Sequence, residues 1–277
     1  MAEVRFHIAG MPVAIRGEAL AIADLAPVYR QFPTDAPAAL TIEIERVAGF
    51  DRAQGPAYPA FQRRVDAAGR LRVERFDAEG EIETGDLPLA ARFRVGPSAN
   101  SLEACVRIAA SVALARHGAL ILHASAVEHA GRALVFTGVS GAGKSTISAM
   151  LDRAPARKIG DELLVLRRDA TVGAWSAYVP PYLGPAGIAH GAQAPLDAVH
   201  LLVQAPHHAR TLVGAAAALR ELLRHVLVYV AEPRTADHVL AIAADLTREV
   251  PCYRLEFRKD PGVARVLGIA YPGAAPA

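Results

Sequence analysis

Lysine is nearly absent from this chain: it occurs only at positions 144, 158 and 259, against 27 arginines in 277 residues. Charge of either sign is not concentrated. Thirty basic and 28 acidic residues are dispersed along the chain and leave a formal net charge of +2. A nucleic-acid or membrane-surface partner would call for a basic patch, so neither is expected. Cysteine is scarce as well. Cys105 and Cys252 lie far apart and match no metal-ligand spacing, which predicts a reduced, cytoplasmic setting. The most apolar stretch, 108–127, is interrupted by Arg116, His117 and His123, so no membrane span is expected. The opening residues Met1–His7 lack the apolar run of a secretion signal. What remains is an ordinary globular composition, 52% hydrophobic, long enough for one large domain or two small ones.

Against that background one stretch stands out. Arg132–Thr137 reads as a short buried strand, Gly138-Val-Ser-Gly-Ala-Gly143-Lys144-Ser145-Thr146 as a glycine-rich turn, and Ile147–Leu151 as the continuation of a helix. The turn fits G-x-x-x-x-G-K-[S/T] at every required position, and it sits between a strand and a helix, the context the motif needs. Gly138, Gly141 and Gly143, with Ser140 and Ala142 between them, leave backbone N–H groups free to converge on phosphate oxygens. The helix opening through Lys144, Ser145 and Thr146 adds its own free N–H groups and positive dipole end. Lys144 supplies a mobile charge for the β- and γ-phosphates, and the Ser145 hydroxyl is suited to ligating Mg²⁺. A bound nucleoside triphosphate is the expectation.

Residues 1–92 read as a β-rich domain with a candidate partner or substrate role, and 93–277 as the nucleotide domain. In the first, Val4–Ala9 and Leu40–Val47 alternate apolar and polar residues, and Asp66–Gly69 and Asp77–Gly80 read as turns of a small antiparallel sheet. A helix capped at Asn100-Ser101 should bury Leu102, Cys105, Val106, Ala109 and Val112 and end at Gly118. Ala119–Val127 reads as a buried strand. Further on, Trp175–Ala194 reads as an irregular loop, His207-His208 as solvated, and Leu196–Val203 as a strand. Gly214–Val230 and Ala236–Glu249 read as helices, the second capped by Thr235, and Cys252–Arg258 as an edge-like strand before a short last helix.

After the phosphate loop, Lys158-Ile-Gly-Asp161-Glu162 puts two carboxylates at the head of an apolar run. Such a pair can hold Mg²⁺ and handle a proton.

Three blocks together, Leu122–Glu128, Gly138–Thr146 and Ile159–Glu162, resemble the HPr kinase/phosphorylase superfamily, whose fold is shared with phosphoenolpyruvate carboxykinase. The segments Ala194–Leu202 and Pro251–Arg258 add to the resemblance, which covers roughly residues 100–268. It implies an α/β fold: a P-loop nucleotide-binding domain of that type beside the small β-rich N-terminal domain. It also implies ATP and Mg²⁺ as cofactors and a peptide or protein substrate bearing serine; a homo-oligomer is compatible with it. Carried over residue by residue, Lys144 and Ser145 match the phosphate and metal positions. One of Asp161 and Glu162 matches the acid that takes the hydroxyl proton, and the other the metal ligand. The working assignment gives the proton to Asp161, with Glu162 and Ser145, and Asp161 as a further candidate, at the metal. His123 matches a site histidine, and Arg254 is a candidate to reach the nucleotide from its strand.

The chain departs from the family in having Asp-Glu where Asp-Asp is usual, and in lacking the glycine-rich arginine segment that follows the acids in HPr kinases. Relatives of this shape include kinases of ribosomal-peptide precursors, notably lasso peptides. Carboxykinase chemistry calls for a lysine upstream of the histidine, and no lysine precedes Lys144. With no N-K-x-D or L-S-G-G-Q segment either, the leading reading is a serine kinase, and the alternatives are a nucleotide-dependent binding module and a carboxykinase-like small-molecule phosphotransferase.

Overall fold

The computed structural model describes residues 2–18, 26–48, 50, 61–66, 69–153, 155–169, 171, 173–181, 193–229 and 232–270. The chain forms two compact units, and the boundary expected at 92/93 falls inside a strand. The first unit holds the described residues of Met1–Gly118 together with Pro181 and the later segment to His238 that starts at Val228.

In this unit strands β1 (Ala2–Ile8), β2 (Met11–Gly17), β3 (Leu40–Arg46), β4 (Gln62–Val65), β5 (Leu71–Arg75), β6 (Ala78–Ile82) and β7 (Leu89–Val95) form a sheet in the order β1-β2-β3-β7-β6-β5-β4. A short helix, α1 (Ala26–Tyr29), lies on the path from β2 to β3. The sheet is mixed, not antiparallel as expected, because β3 runs parallel to both β2 and β7. Alternation sorts its faces: Leu40, Ile42, Ile44, Ala91 and Phe93 are buried, whereas Glu43 and Arg92 on the other face pair at 2.7 Å.

The turn expected at Asp77–Gly80 lies earlier, at Phe76-Asp77. Asp77 is buried and accepts hydrogen bonds from Arg75 and from Ser101 of the next helix. Gly80 sits within β6 because a Cβ there would strike the Arg92 carbonyl and the Phe93 ring. Helix α2 (Ala99–Arg116) is capped by Ser98, whose Oγ accepts from the Asn100 amide, two residues before the expected cap. The expected stripe is buried, and so are Ile108, Ala110 and Ala113 around the helix, which is apolar on nearly every side.

The second unit carries the phosphate loop. Its elements are β8 (Ala119–His129), β9 (Arg132–Thr137), α3 (Lys144–Leu151), β10 (Ala156–Gly160), β11 (Leu163–Arg168), β12 (Trp175–Tyr178), β13 (Gln193–Gln204), β14 (Ala209–Leu212), α4 (Ala215–Leu223), most of α5 (Pro233–Glu249), β15 (Cys252–Phe257) and α6 (Val263–Val266). Strands β9, β13 and β15 are mutually parallel, so their carboxyl ends open on the same side as the loop after β9. The long β8 serves two neighbourhoods: residues 119–123 pair with β11, and 124–129 with β9 and β10.

Several expectations are corrected here. Trp175–Tyr178 is a strand between β11 and β13, and 193–194 open β13; residues 182–192 of the expected loop lie outside the described residues. Strand β15 is interior, flanked by β13 and β14, and β14 takes the outer position. Helix α4 stops at Leu223 instead of reaching Val230, because Leu227 donates its amide to the Ile121 carbonyl and Val226 bridges Leu122. Those bonds satisfy the half of β8 that β9 does not cover. Helix α5 begins at Pro233, a residue suited to the first helical position, and Glu232 accepts from the amides of Arg234 and Thr235 in the role expected of Thr235. His208 is largely buried against the Asp260 carboxylate at 2.9 Å, whereas His207 is exposed as expected.

Candidate functional site

Strand β9 delivers the chain to the loop with Thr137 fully buried, its hydroxyl donating to the His123 carbonyl at 2.9 Å. The loop then doubles back on itself through Ala142 N–H to Val139 O, 3.0 Å. Gly141 and Gly143 adopt φ of 79° and 101°, a region open to glycine at little cost. At Gly143 the surroundings are also closed: a Cβ would lie 2.8 Å from the Phe257 ring, at the end of β15. The side-chain amide of Gln204, the last residue of β13, donates to the Gly141 carbonyl at 2.7 Å. The ends of three parallel strands thus meet at one loop.

Helix α3 starts at Lys144 from Gly143, and no side chain caps it. Its opening amides are therefore left for an anion. Ile147 and Leu151 anchor the helix in a core with Phe136, Leu255 and Phe257, while the buried Ser125 hydroxyl donates to the Lys144 carbonyl at 2.7 Å. The Lys144 side chain is only 8% exposed, and its Nζ donates to the carbonyls of Gly138 (3.0 Å) and Val139 (3.2 Å). Burial pushes its pKa down, and the Asp161 carboxylate acts in the opposite sense.

The acids sit in the turn between β10 and β11. Asp161 Oδ1 accepts from Ser145 Oγ at 2.9 Å and from the Glu162 amide at 3.0 Å, and its Oδ2 accepts from Lys158 Nζ at 2.7 Å. A continuous polar chain therefore joins the phosphate loop to the acid turn. Glu162 follows with φ of 78°, costly for a residue with a side chain, and its carbonyl accepts from the Ala124 amide at 3.2 Å. Its carboxylate is exposed.

His123 lies on β8 opposite Leu163, half-buried; burial lowers its pKa first and the Lys144 charge second, with Glu162 and Asp161 opposing. His225 is 9% exposed, and its carbonyl accepts from the His123 amide at 2.9 Å. Its pKa is lowered by the same two leading causes, burial and then Lys144.

The expected residues Gly138, Ser140, Gly141, Ala142, Gly143, Lys144, Ser145, Thr146, Asp161, Glu162 and His123 thus converge on one region. Arg254 does not join them. It lies level with Thr137 but two strands away, about 10 Å at ordinary strand spacing. Its guanidinium is engaged by Glu256 at 2.8 Å. The residue of β15 that touches the loop is Phe257. Lys158, Ser125, Gln204, Phe257 and His225 were not singled out from sequence. The scarcity of lysine draws attention to Lys158, and the carboxyl ends of parallel strands to Gln204 and Phe257. His225 was hidden inside an overextended helix.

Among the described residues no three His, Cys, Asp or Glu side chains form a metal cage. Mg²⁺ arriving with phosphates needs only one or two protein ligands, which Ser145 and the acid pair can provide. The residues present fit ATP: an uncapped helix start, glycine amides and a lysine whose ammonium rests on its own loop's carbonyls.

No family model matches the chain, and no curated protein matches it. Among solved structures, the Hpr(Ser) kinase/phosphatase from Coxiella burnetii is similar at 14% identity and a TM-score of 0.25, over 47% of this chain and 98% of that one. A likeness at that level is too weak to place any residue, and the functional reading rests on the geometry above.

Proposed function

We propose that the chain is an ATP- and Mg²⁺-dependent kinase that transfers the γ-phosphate to a serine hydroxyl of a peptide or protein. The observation that carries this reading is the bonded chain Ser145–Asp161–Lys158, which sets a fixed carboxylate beside the phosphate loop. An acid bonded to the loop serine can serve the cation that comes with the nucleotide, and transfer to a hydroxyl needs in addition a proton acceptor within hydrogen-bond range, which a two-acid turn can supply. Asp161 is fixed in one geometry by two side-chain donors and is assigned the proton; the exposed Glu162 carboxylate is free to swing onto a cation with the Ser145 hydroxyl. Bound Mg²⁺ would neutralise charge on the β- and γ-phosphates. Lys144 would turn from the loop carbonyls to the same oxygens.

The test is incubation with Mg-ATP and a serine-bearing peptide encoded beside the gene, read by mass spectrometry. A phosphate-sized increment on serine is expected, with HPr a poor substrate. Efficient phosphorylation of HPr alone would overturn the substrate class and leave the kinase. Tight ATP binding with no transfer to any hydroxyl would favour a binding module.

A further inference from the structure

The segment after α4 does more than end a helix. The amide of His123 donates to the carbonyl of His225, Leu122 bridges Val226, and the amide of Leu227 donates to the carbonyl of Ile121. In that antiparallel register His123 and His225 are direct partners, so their side chains share one face with Cβ atoms about 5 Å apart. Both rings feel the Lys144 charge, and His225 also feels His123. The pair is tied to the phosphate loop through the His123 carbonyl, which accepts from the Thr137 hydroxyl at 2.9 Å where β9 enters the loop. His225 is only 9% exposed, so its ring is held largely inside the protein on the face it shares with His123.

We infer that His225 is a second histidine of the transfer site, donating a ring N–H to the terminal phosphoryl group from the side opposite the phosphate loop. This rests on the kinase reading above and adds a contact to it. A neutral imidazole beside an ammonium can donate to a phosphate oxygen without adding a further charge that Lys144 would repel. His123 on the same face leaves the acceptor hydroxyl a second polar neighbour. The sidedness of the contact gives it a signature: it should exist with a triphosphate and be missing with a diphosphate.

The test uses the full chain with ¹⁵N-labelled histidine, assigned through His225→Gln, and compares Mg-ADP with the Mg complex of a non-hydrolysable imido analogue of ATP. The inference expects His225 ring signals to move with the analogue and stay near their free positions with ADP. In turnover, His225→Ala should lose about ten- to a hundred-fold in kcat, the range for one hydrogen bond to a charged group, with ADP affinity unchanged. His225→Gln, which keeps an N–H donor, should recover part of that loss. Ring signals indifferent to the third phosphate, or full turnover in a folded His225→Ala, would overturn the inference while leaving the kinase reading standing. Failure of either nucleotide to bind would overturn both.

Discussion

Asp161 and Glu162 are neighbours in sequence with opposite surroundings. Asp161 is pinned by the Ser145 hydroxyl and the Lys158 ammonium, whereas Glu162 projects its carboxylate into solvent from a left-handed backbone. Asp161→Asn keeps the size and one acceptor oxygen but cannot take a proton, so turnover should fall by about a hundred-fold or more while ATP still binds. Glu162→Gln should chiefly raise the Mg²⁺ concentration needed for half-maximal rate. A Mg²⁺ titration of both variants checks this; a dead Glu162→Gln at saturating Mg²⁺ beside an active Asp161→Asn would reverse the roles. His200 makes a different point at the same scale. It is fully buried, accepts from Arg210 Nε at 3.1 Å through Nε2, and so presents Nδ1–H to the Val135 carbonyl at 3.3 Å. Burial, then Arg210, pushes its pKa down to about 3. As pH falls below about 6.5, the unfolded chain takes up the proton and the folded one does not, so stability is lost between those values, on the order of a few kcal/mol by pH 4. Urea unfolding at pH 7 and pH 4 should show a larger loss for the native chain than for His200→Gln; equal losses would remove His200 from the account. The sequence offered no hint of this residue, because the burial of a histidine on a strand depends on its neighbours across the sheet.

The strand–loop–helix from Arg132 to Leu151 was legible as an element because its chemistry is local: glycines where φ is positive, and an apolar run on either side. What encloses it was not legible. Gly141 and Gly143 look equivalent in the motif, yet a Cβ at Gly141 meets open space and one at Gly143 meets Phe257, over a hundred residues away. Gly141→Ala should therefore carry only the backbone cost, about 1–2 kcal/mol. Gly143→Ala should carry that and an overpacking cost of about 1–3 kcal/mol more. Phe257→Leu should relieve part of the extra cost in the Gly143→Ala background and none of it in Gly141→Ala, as read by thermal melting of the four variants. Equal destabilisation by the two glycine changes would contradict the contact. The overextended reading of α4 has a related cause. Residues 224–227 are compatible with a helix by propensity, but pairing with the uncovered half of β8 wins. The same override displaced the Asp77 turn, where an acid that looks like turn chemistry is buried between Arg75 and Ser101.

At the scale of the whole chain, sequence order and spatial order part company. The first unit is completed by residues beyond 227: the buried Arg116, at the end of α2, bonds the carbonyl of Thr84 at 3.0 Å and the carboxylate of Glu232 at 3.1 Å. No local pattern could reveal a pair 116 residues apart, so a boundary at 92/93 was the reading composition allowed. The candidate site is assembled the same way, from β8, the phosphate loop, the acid turn, the ends of β13 and β15, and the turn after α4. Local motifs marked the loop, the acids and His123; the remaining contributors are fixed by sheet register and lay beyond reach of spacing. In the proposed kinase Lys144, alone among the chain's three lysines in lying on the loop carbonyls, carries the charge for phosphoryl transfer. This role is tested most directly by the rate of Mg-ATP-dependent serine phosphorylation in the native chain and in Lys144→Ala, with circular dichroism to confirm the fold. The account predicts transfer by the native chain and at least about a hundred-fold loss in the variant, the order expected for one electrostatic contact to the transferring group. Comparable turnover in the two proteins would contradict it.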